Sequence, residues 1–258
     1  MNWNIHTHTI RCGHAEGEEW EYAEAAVREG MDTLGFADHA PMPFKGSYVS
    51  NMRMLPAQLP DYVETLLRLR EQYADRLNIL IGLEAEYYPS LFSDFLELIR
   101  PYPIDYLILG QHFVYDEVDT PHIYYDSVSE EVLTVYADQI CTGIRTGLMT
   151  YVAHPEMINF NDGDPVFWAE QMRRICVAAK EMDVPLEINV NGMFGHRHYP
   201  NPAFWRIAAE VGNTCVIGAD AHSPDALARH ETQAACRSMA EACGVRLVER
   251  VPVRPLII

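Results

Sequence analysis

The chain has 258 residues, 48% of them hydrophobic, and a formal net charge of −18. That length suits one large α/β unit, and a surface this acidic excludes the basic footprint of nucleic-acid or anionic-membrane binding. The six cysteines (Cys12, Cys141, Cys176, Cys215, Cys236, Cys243) form no Cys-x-x-Cys, so they read as reduced thiols.

In chain order, short apolar runs alternate with longer amphipathic stretches. Strands are expected at residues 3–5, 33–37, 78–83, 106–110, 150–152, 185–188 and 215–218. Helices are expected at 18–29, 59–73, 90–99, 130–146, 166–182, 202–211 and 226–242. Asp164-Pro165 is a helix start with proline in the first turn, and Gly30, Gly147, Gly212 and Gly244 stand where helices should stop. Seven βα units with short connections predict a parallel α/β barrel, with residues 245–247 available as an eighth short strand. No linker, repeat or low-complexity tract divides the chain, so one domain over 1–258 is expected. No run approaches the ~18 apolar residues of a membrane span, and the first strand begins too early for a leader, so a cytoplasmic location is expected.

His6-Thr7-His8 opens the chemistry. Residues two apart on an extended segment share a face, so both imidazoles reach one point, as a metal requires. The pattern then recurs at the end of nearly every apolar run: His39 after the second, Glu84 closing the third, His112 after the fourth, His154 after the fifth, and Asp220 with His222 after the seventh. In a parallel barrel these C-terminal strand ends share one mouth. Scattered structural histidines would not all fall at one end. Imidazoles and carboxylates without clustered thiolates suit an open zinc, manganese or iron site rather than a closed structural zinc. Cys12, close to His14, is a further candidate ligand.

His6-Thr7-His8-Thr9, Cys12-Gly13-His14-Ala15, Ala37-Asp38-His39, Gly82-Leu83-Glu84, Gly110-Gln111-His112-Phe113, His154-Pro155-Glu156, Glu187-Ile188-Asn189 and Gly218-Ala219-Asp220-Ala221-His222-Ser223-Pro224 together resemble the PHP (polymerase and histidinol phosphatase) superfamily, most closely its histidinol-phosphatase branch. The resemblance spans residue 3 to about residue 230. It implies a distorted (β/α)7 TIM-like barrel with three divalent metal ions at the C-terminal strand ends. Carried over by motif, His6, His8, Glu84 and Asp220 hold one metal. Glu84 bridges to a second held with His112 and His154, and His14, His39 and His222 hold the third. Glu84, Asp220 and His222 are also the expected catalytic groups, acting through a metal-bridging hydroxide.

Several polar residues compete for substrate roles. Arg197, in Gly195-His196-Arg197-His198-Tyr199-Pro200, is expected to clamp phosphate. The resembled branch has an arginine near this position but more than one basic residue before Tyr-Pro, a departure that bears on substrate choice. Arg53 and Arg11 are further clamp candidates. His198 and His196 are candidates for substrate recognition or general acid. Glu187, Asn189 and Glu156 are expected to orient ligand imidazoles. Glu16, Glu156 and Asp162 are candidate readers of a cationic leaving group. His122 and His230 read as surface residues, and residues 40–56 as a lid or partner loop. The resemblance implies a metal-dependent phosphomonoesterase for a small phosphorylated substrate, histidinol phosphate first. The alternatives are another small phosphate ester, such as a nucleotide or sugar phosphate, a metal-loaded regulatory module, and a nuclease, which the acidic surface disfavours.

Overall fold

The computed structural model describes residues 1–118, 120 and 122–258. Eight strands run parallel and in chain order: β1 (Trp3–Asn4), β2 (Thr33–His39), β3 (Asn78–Ala85), β4 (Tyr106–Leu109), β5 (Met149–Val152), β6 (Leu186–Asn189), β7 (Thr214–Gly218) and β8 (Arg246–Leu247). Between them lie α1 (Glu19–Arg28), α2 (Leu59–Gln72), α3 (Phe92–Ile99), α4 (Glu130–Arg145), α5 (Pro165–Glu181), α6 (Val190–Phe194), α7 (Pro202–Val211) and α8 (His230–Cys243). This is the distorted TIM-like barrel expected from the sequence, with the short eighth strand present.

Two strands run further than expected, and that places the chemistry. β2 and β3 pair through seven register positions, the last of which sets His39 beside Glu84. These two side chains therefore sit within strands rather than on loops. The short α6 is a departure. It starts at the very end of β6, where the Asn189 side chain accepts the Gly192 N–H at 2.7 Å. Five residues are too few to show a helical period, so the sequence pattern hides it. The last helix, α8, begins at His230 because a 3-10 turn over Pro224–Ala228 takes the preceding residues.

Strand parity divides the interior. One set of side chains, including Leu107, Leu109, Val152 and Ile217, packs against the helices. The alternate set, Ile5, Ala37, Tyr106, Ile108, Tyr151, Ala153 and Val216, forms a separate inward cluster that Trp3 and Val251 of the C-terminal tail join. Gly82 makes room for it, since a Cβ there would run into the Tyr106 ring. The Tyr106 hydroxyl lies 2.7 Å from the Ile5 carbonyl and 3.0 Å from that of Phe36. Below is apolar filling; above, on the same inward face, are His39, Glu84, Glu187 and Asp220.

Candidate metal centre

The site is built where β1 to β5 and β7 end. An isolated parallel bridge joins Thr7 to Ala221, with the His8 N–H donating to Ala221 O at 2.9 Å and the Ala221 N–H to His6 O at 3.1 Å. His6 and His8 flank one partner; Asp220 and His222 flank the other. Two of the group, His154 (φ 31°) and Asp220 (φ 48°), adopt positive φ, uncommon for residues other than glycine and concentrated where a site dictates the backbone. Glu84 lies flat against the neighbouring strand because residue 110 is glycine; a Cβ there would collide with its carboxylate.

All nine candidate ligands converge on Glu84 or its neighbours. His6 Nε2 stands 3.6 Å from both Glu84 Oε1 and Asp220 Oδ1, His8 Nε2 3.7 Å from Glu84 Oε2, and His112 Nε2 3.7 Å from Glu84 Oε1. His8 Nε2 is 3.1 Å from Asp220, and His39 and His154 each come within 2.9 Å of Glu84. Separations of 3.6–3.7 Å exceed a hydrogen bond. They suit two atoms sharing one ion, which at bonds of roughly 2.1 Å in a tetrahedral site lie about 3.4 Å apart. Potential ligand atoms cluster within 4.8 Å in the sets His6/His8/Asp220, His6/Glu84/His154, His8/His39/Glu84 and His14/His39/His222. Cys12 joins His8 and His222 in another such set. His112 enters none of them and reaches the centre through Glu84.

The other ring nitrogens explain why these atoms face inward. His6 Nδ1 is 2.7 Å from Glu187 and His112 Nδ1 3.2 Å from Glu86, while His8 Nδ1 lies 3.4 Å from Asp38 without a hydrogen bond to it. His14 and His222 rest Nδ1 on backbone carbonyls at 3.0 Å. Such outer partners fix the tautomer of a metal-binding imidazole. Glu187 also accepts the His154 N–H at 3.1 Å and the Asn189 amide at 2.9 Å, and Asn189 donates to Asp220 at 3.2 Å. Glu156 takes no part: it is buried and accepts the Asn201 N–H at 3.1 Å. Glu86 is not singled out by the sequence, although extended backbone running on past β3 puts a carboxylate two residues after Glu84 on the same side.

The electrostatics demand positive charge. Burial disfavours ionised carboxylates, yet surrounding imidazoles hold Glu84 and Asp220 well below the usual carboxylate range. Burial lowers His6 as well, but Glu187, Asp220 and Glu84 outweigh it and raise its pKa to about 10. Buried and unpartnered, His6 Nε2, both His8 nitrogens, His39 Nδ1, His154 Nδ1 and Glu84 Oε2 remain. A divalent cation fits such a donor set; protons alone satisfy it poorly.

Above this cluster opens a cavity of about 310 Å³, lined by His14, His39, Glu84, His112, His154, Asp220 and His222 below and by Met52, Tyr124, Tyr125, Met157, Asn191, Arg197 and Tyr199 around the rim. Arg197 stands at this mouth, donating to the Tyr199 hydroxyl at 2.7 Å and stacked 5.4 Å from the Tyr124 ring centroid. Arg53 does not. It is buried against Glu86 and Glu117, so its charge is already neutralised and it cannot swing to a phosphate. Arg11 is likewise paired, with Glu19 and Asp61. His198 lies behind the rim, stacked on Tyr124 with Nε2 2.6 Å from the Met157 carbonyl, which removes it from substrate. His196 is exposed outside the cavity lining. His122 corrects the reading in the opposite direction: it lines the cavity, 5.6 Å from the His112 ring, and burial drives its pKa down to about 3. His230 is a surface residue, 2.8 Å from Glu29. Among the described residues, no helix is long and apolar enough to cross a membrane.

Comparison with known proteins follows the same lines. The PHP domain model matches residues 4–191. A Deinococcus radiodurans protein named "Probable histidinol-phosphatase" is 32% identical over 85% of this chain and 85% of its own length. The Bacillus subtilis protein named histidinol-phosphatase is 27% identical over 84% of this chain and 92% of its own. In fold, the chain is similar to a histidinol phosphate phosphatase from Lactococcus lactis, crystallised with zinc, L-histidinol and phosphate: TM-score 0.74 at 18% identity, covering 96% of this chain and 95% of that one. The strand-end histidines and carboxylates, the barrel that gathers them and the model match agree, and the chain belongs to the PHP domain family.

Proposed function

We propose that this protein is a metal-dependent phosphomonoesterase whose substrate is histidinol phosphate. The observation that carries the reading is the convergence of five imidazoles on Glu84, with the inward nitrogens of His6, His8 and His39 buried without a hydrogen-bond partner. The donor set fits three divalent ions: one with His6, His8, Glu84 and Asp220, a second with Glu84, His112 and His154, a third with His14, His39 and His222. Zinc, manganese and iron all suit these ligands. Bound cations supply Lewis acidity, lowering the pKa of water toward neutrality and offsetting charge on the phosphoryl oxygens.

The chain's own groups supply the rest. Glu84 and Asp220 stay ionised and give the centre its anionic ligands. His222 and His14, at the cavity floor, face the incoming ester. Arg197 is the rim cation positioned to hold phosphate, and its planar fork matches two oxygens at once. Direct displacement by water, without a covalent enzyme intermediate, fits a cavity whose floor consists of histidines and carboxylates. The aromatic rim of His122, Tyr124 and Tyr125 suits a flat, heteroaromatic leaving group. Glu16 and Asp162 are exposed but do not line the cavity, and Glu156 is withdrawn into the core. The relatives' named activity supports the same substrate.

The test is phosphate release from histidinol phosphate beside a panel of nucleotide, sugar and aryl phosphates, with metal content measured on the same sample. A preference above about tenfold for histidinol phosphate is expected, the scale at which pocket contacts discriminate related ligands. A flat profile would replace the assignment with a broad phosphatase; no hydrolysis by metal-loaded protein would favour a regulatory module.

A further inference from the structure

Arg53 is a fully engaged, buried cation that lies next to the metal centre without lining the cavity. Its Nε donates to Glu117 Oε2 at 2.6 Å, its Nη1 to the Ala40 carbonyl at 3.3 Å, and its Nη2 to Glu86. Tyr88 also donates to Glu86, and Tyr48 to Glu117 at 2.9 Å. Arg53, Glu86, Tyr88 and Glu117 are all buried. The free end of Glu86, Oε1, accepts the His112 backbone N–H at 2.7 Å and lies 3.2 Å from His112 Nδ1. That leaves His112 Nε2 directed at Glu84.

Three chain segments meet in this cluster. Ala40, Tyr48 and Arg53 come from the loop after β2, Glu86 and Tyr88 from the end of β3, and His112 and Glu117 from the stretch after β4. The same loop contributes Met52 to the cavity rim. Without Arg53, the Glu86 and Glu117 carboxylates would be left buried with no cation between them, and Glu86 would lose the contact that fixes its side chain. A displaced Glu86 no longer holds its Oε1 against His112 Nδ1.

We propose that Arg53 is a positioning residue that, through Glu86, orients His112 for the second metal position and ties the loop spanning residues 40–56 to that position. The proposal rests on the reading of His112 as a metal ligand. Arg53 acts on one metal of the set, because Glu86 contacts His112 and neither of the sets around His14 and Asp220.

Stepwise zinc binding to the full-length protein, measured by competition with a chromophoric chelator, tests this in Arg53→Met, Glu86→Gln and the double variant. Melting of each metal-free protein is recorded in parallel. Outer partners of ligand histidines are commonly worth about 10–100-fold in metal affinity. One zinc step is therefore expected to weaken by that factor in each single variant, with the remaining steps within about threefold. The double variant should be little worse than the weaker single, since both act along one path. Arg53→Lys should recover only part, because a point charge cannot span two carboxylates and a carbonyl. Glu86→Gln is nearly isosteric and leaves the Arg53–Glu117 pair in place, so it reports even where Arg53→Met folds poorly. Unchanged zinc steps in Glu86→Gln, or a uniform weakening of every step in Arg53→Met with lower metal-free melting, would reduce Arg53 to a structural ion pair. Wild-type protein that binds no zinc would overturn the metal reading along with this one.

Discussion

Thr7 and Ala221 form a parallel bridge that draws the first and seventh arms of the barrel together at its mouth. Below them β8 occupies the outer edge of β7, pairing Thr214 with Arg246. The sheet thus meets itself at the level of the ligands, and the bridge that closes it also sets His6 and His8 against Asp220 and His222. Asn4 reinforces it, its side-chain oxygen accepting the Ala219 N–H at 2.9 Å.

Glu84 stands within 3.7 Å of five imidazoles, more than any other carboxylate in the centre. Glu84→Gln replaces a shared anion with a neutral amide. It should lower metal stoichiometry and cut turnover by at least about a hundredfold, since both depend on that charge. Elemental analysis paired with a rate assay checks this; full metal content at the wild-type rate would exclude a bridging role.

Chelation should destabilise the fold. Ions bound only by the native state stabilise it by about 2.7 kcal/mol at a hundredfold excess over Kd, or roughly 5–10 °C in a chain of this size. Calorimetry before and after dialysis against chelator measures the difference. Coincident melting curves after proven metal loss would contradict a cluster at the barrel mouth.

Arg197→Ala should weaken every phosphomonoester alike, because the contact is to the group they share. A charge-assisted contact of this kind is worth roughly 1.5–3 kcal/mol, or about ten- to a hundredfold in kcat/KM. Arg197→Lys should restore only part of it. The comparison needs histidinol phosphate and an aryl phosphate side by side; loss confined to one of them would point to leaving-group recognition instead.

Glu156 gives the chain a pH signature. Burial raises its pKa from 4.5 to about 7, against the opposing hydrogen bond from Asn201. The folded state therefore favours the neutral acid, and the stability this contributes is full below about pH 4.5 and is lost as pH rises through 7. Ionisation costs on the order of 3 kcal/mol. Glu156→Gln cannot ionise, so its stability relative to wild type should climb between pH 5 and 8. Denaturant unfolding at those two pH values decides it: parallel curves would show that Glu156 does not titrate in this range.

Arg197, Arg53 and Arg11 read alike in one dimension, each a cation near a strand end or mouth loop. Only packing separates them. Glu117 and Asp61 come from distant segments to neutralise two of the three, and Arg197 faces the cavity with no carboxylate pair among the described residues. His122 was misread for the same reason. Its loop folds back over His112, with the Ile123 N–H donating to the His112 carbonyl at 3.1 Å. Nothing in its local sequence announces that contact.

What the sequence determines by itself is the barrel and the ligand inventory. A parallel βα unit writes its period, its stop signals and its strand-end residues locally, so each unit can be read alone, and the order of histidines and carboxylates follows. Tertiary structure alone decides how those side chains are aimed. Glu187 and Glu86 choose which ring nitrogen of His6 and His112 faces inward, and the Thr7–Ala221 bridge joins segments at opposite ends of the chain. Contacts of that sequence separation depend on register and on the twist that curls the sheet, and neither property belongs to any one segment.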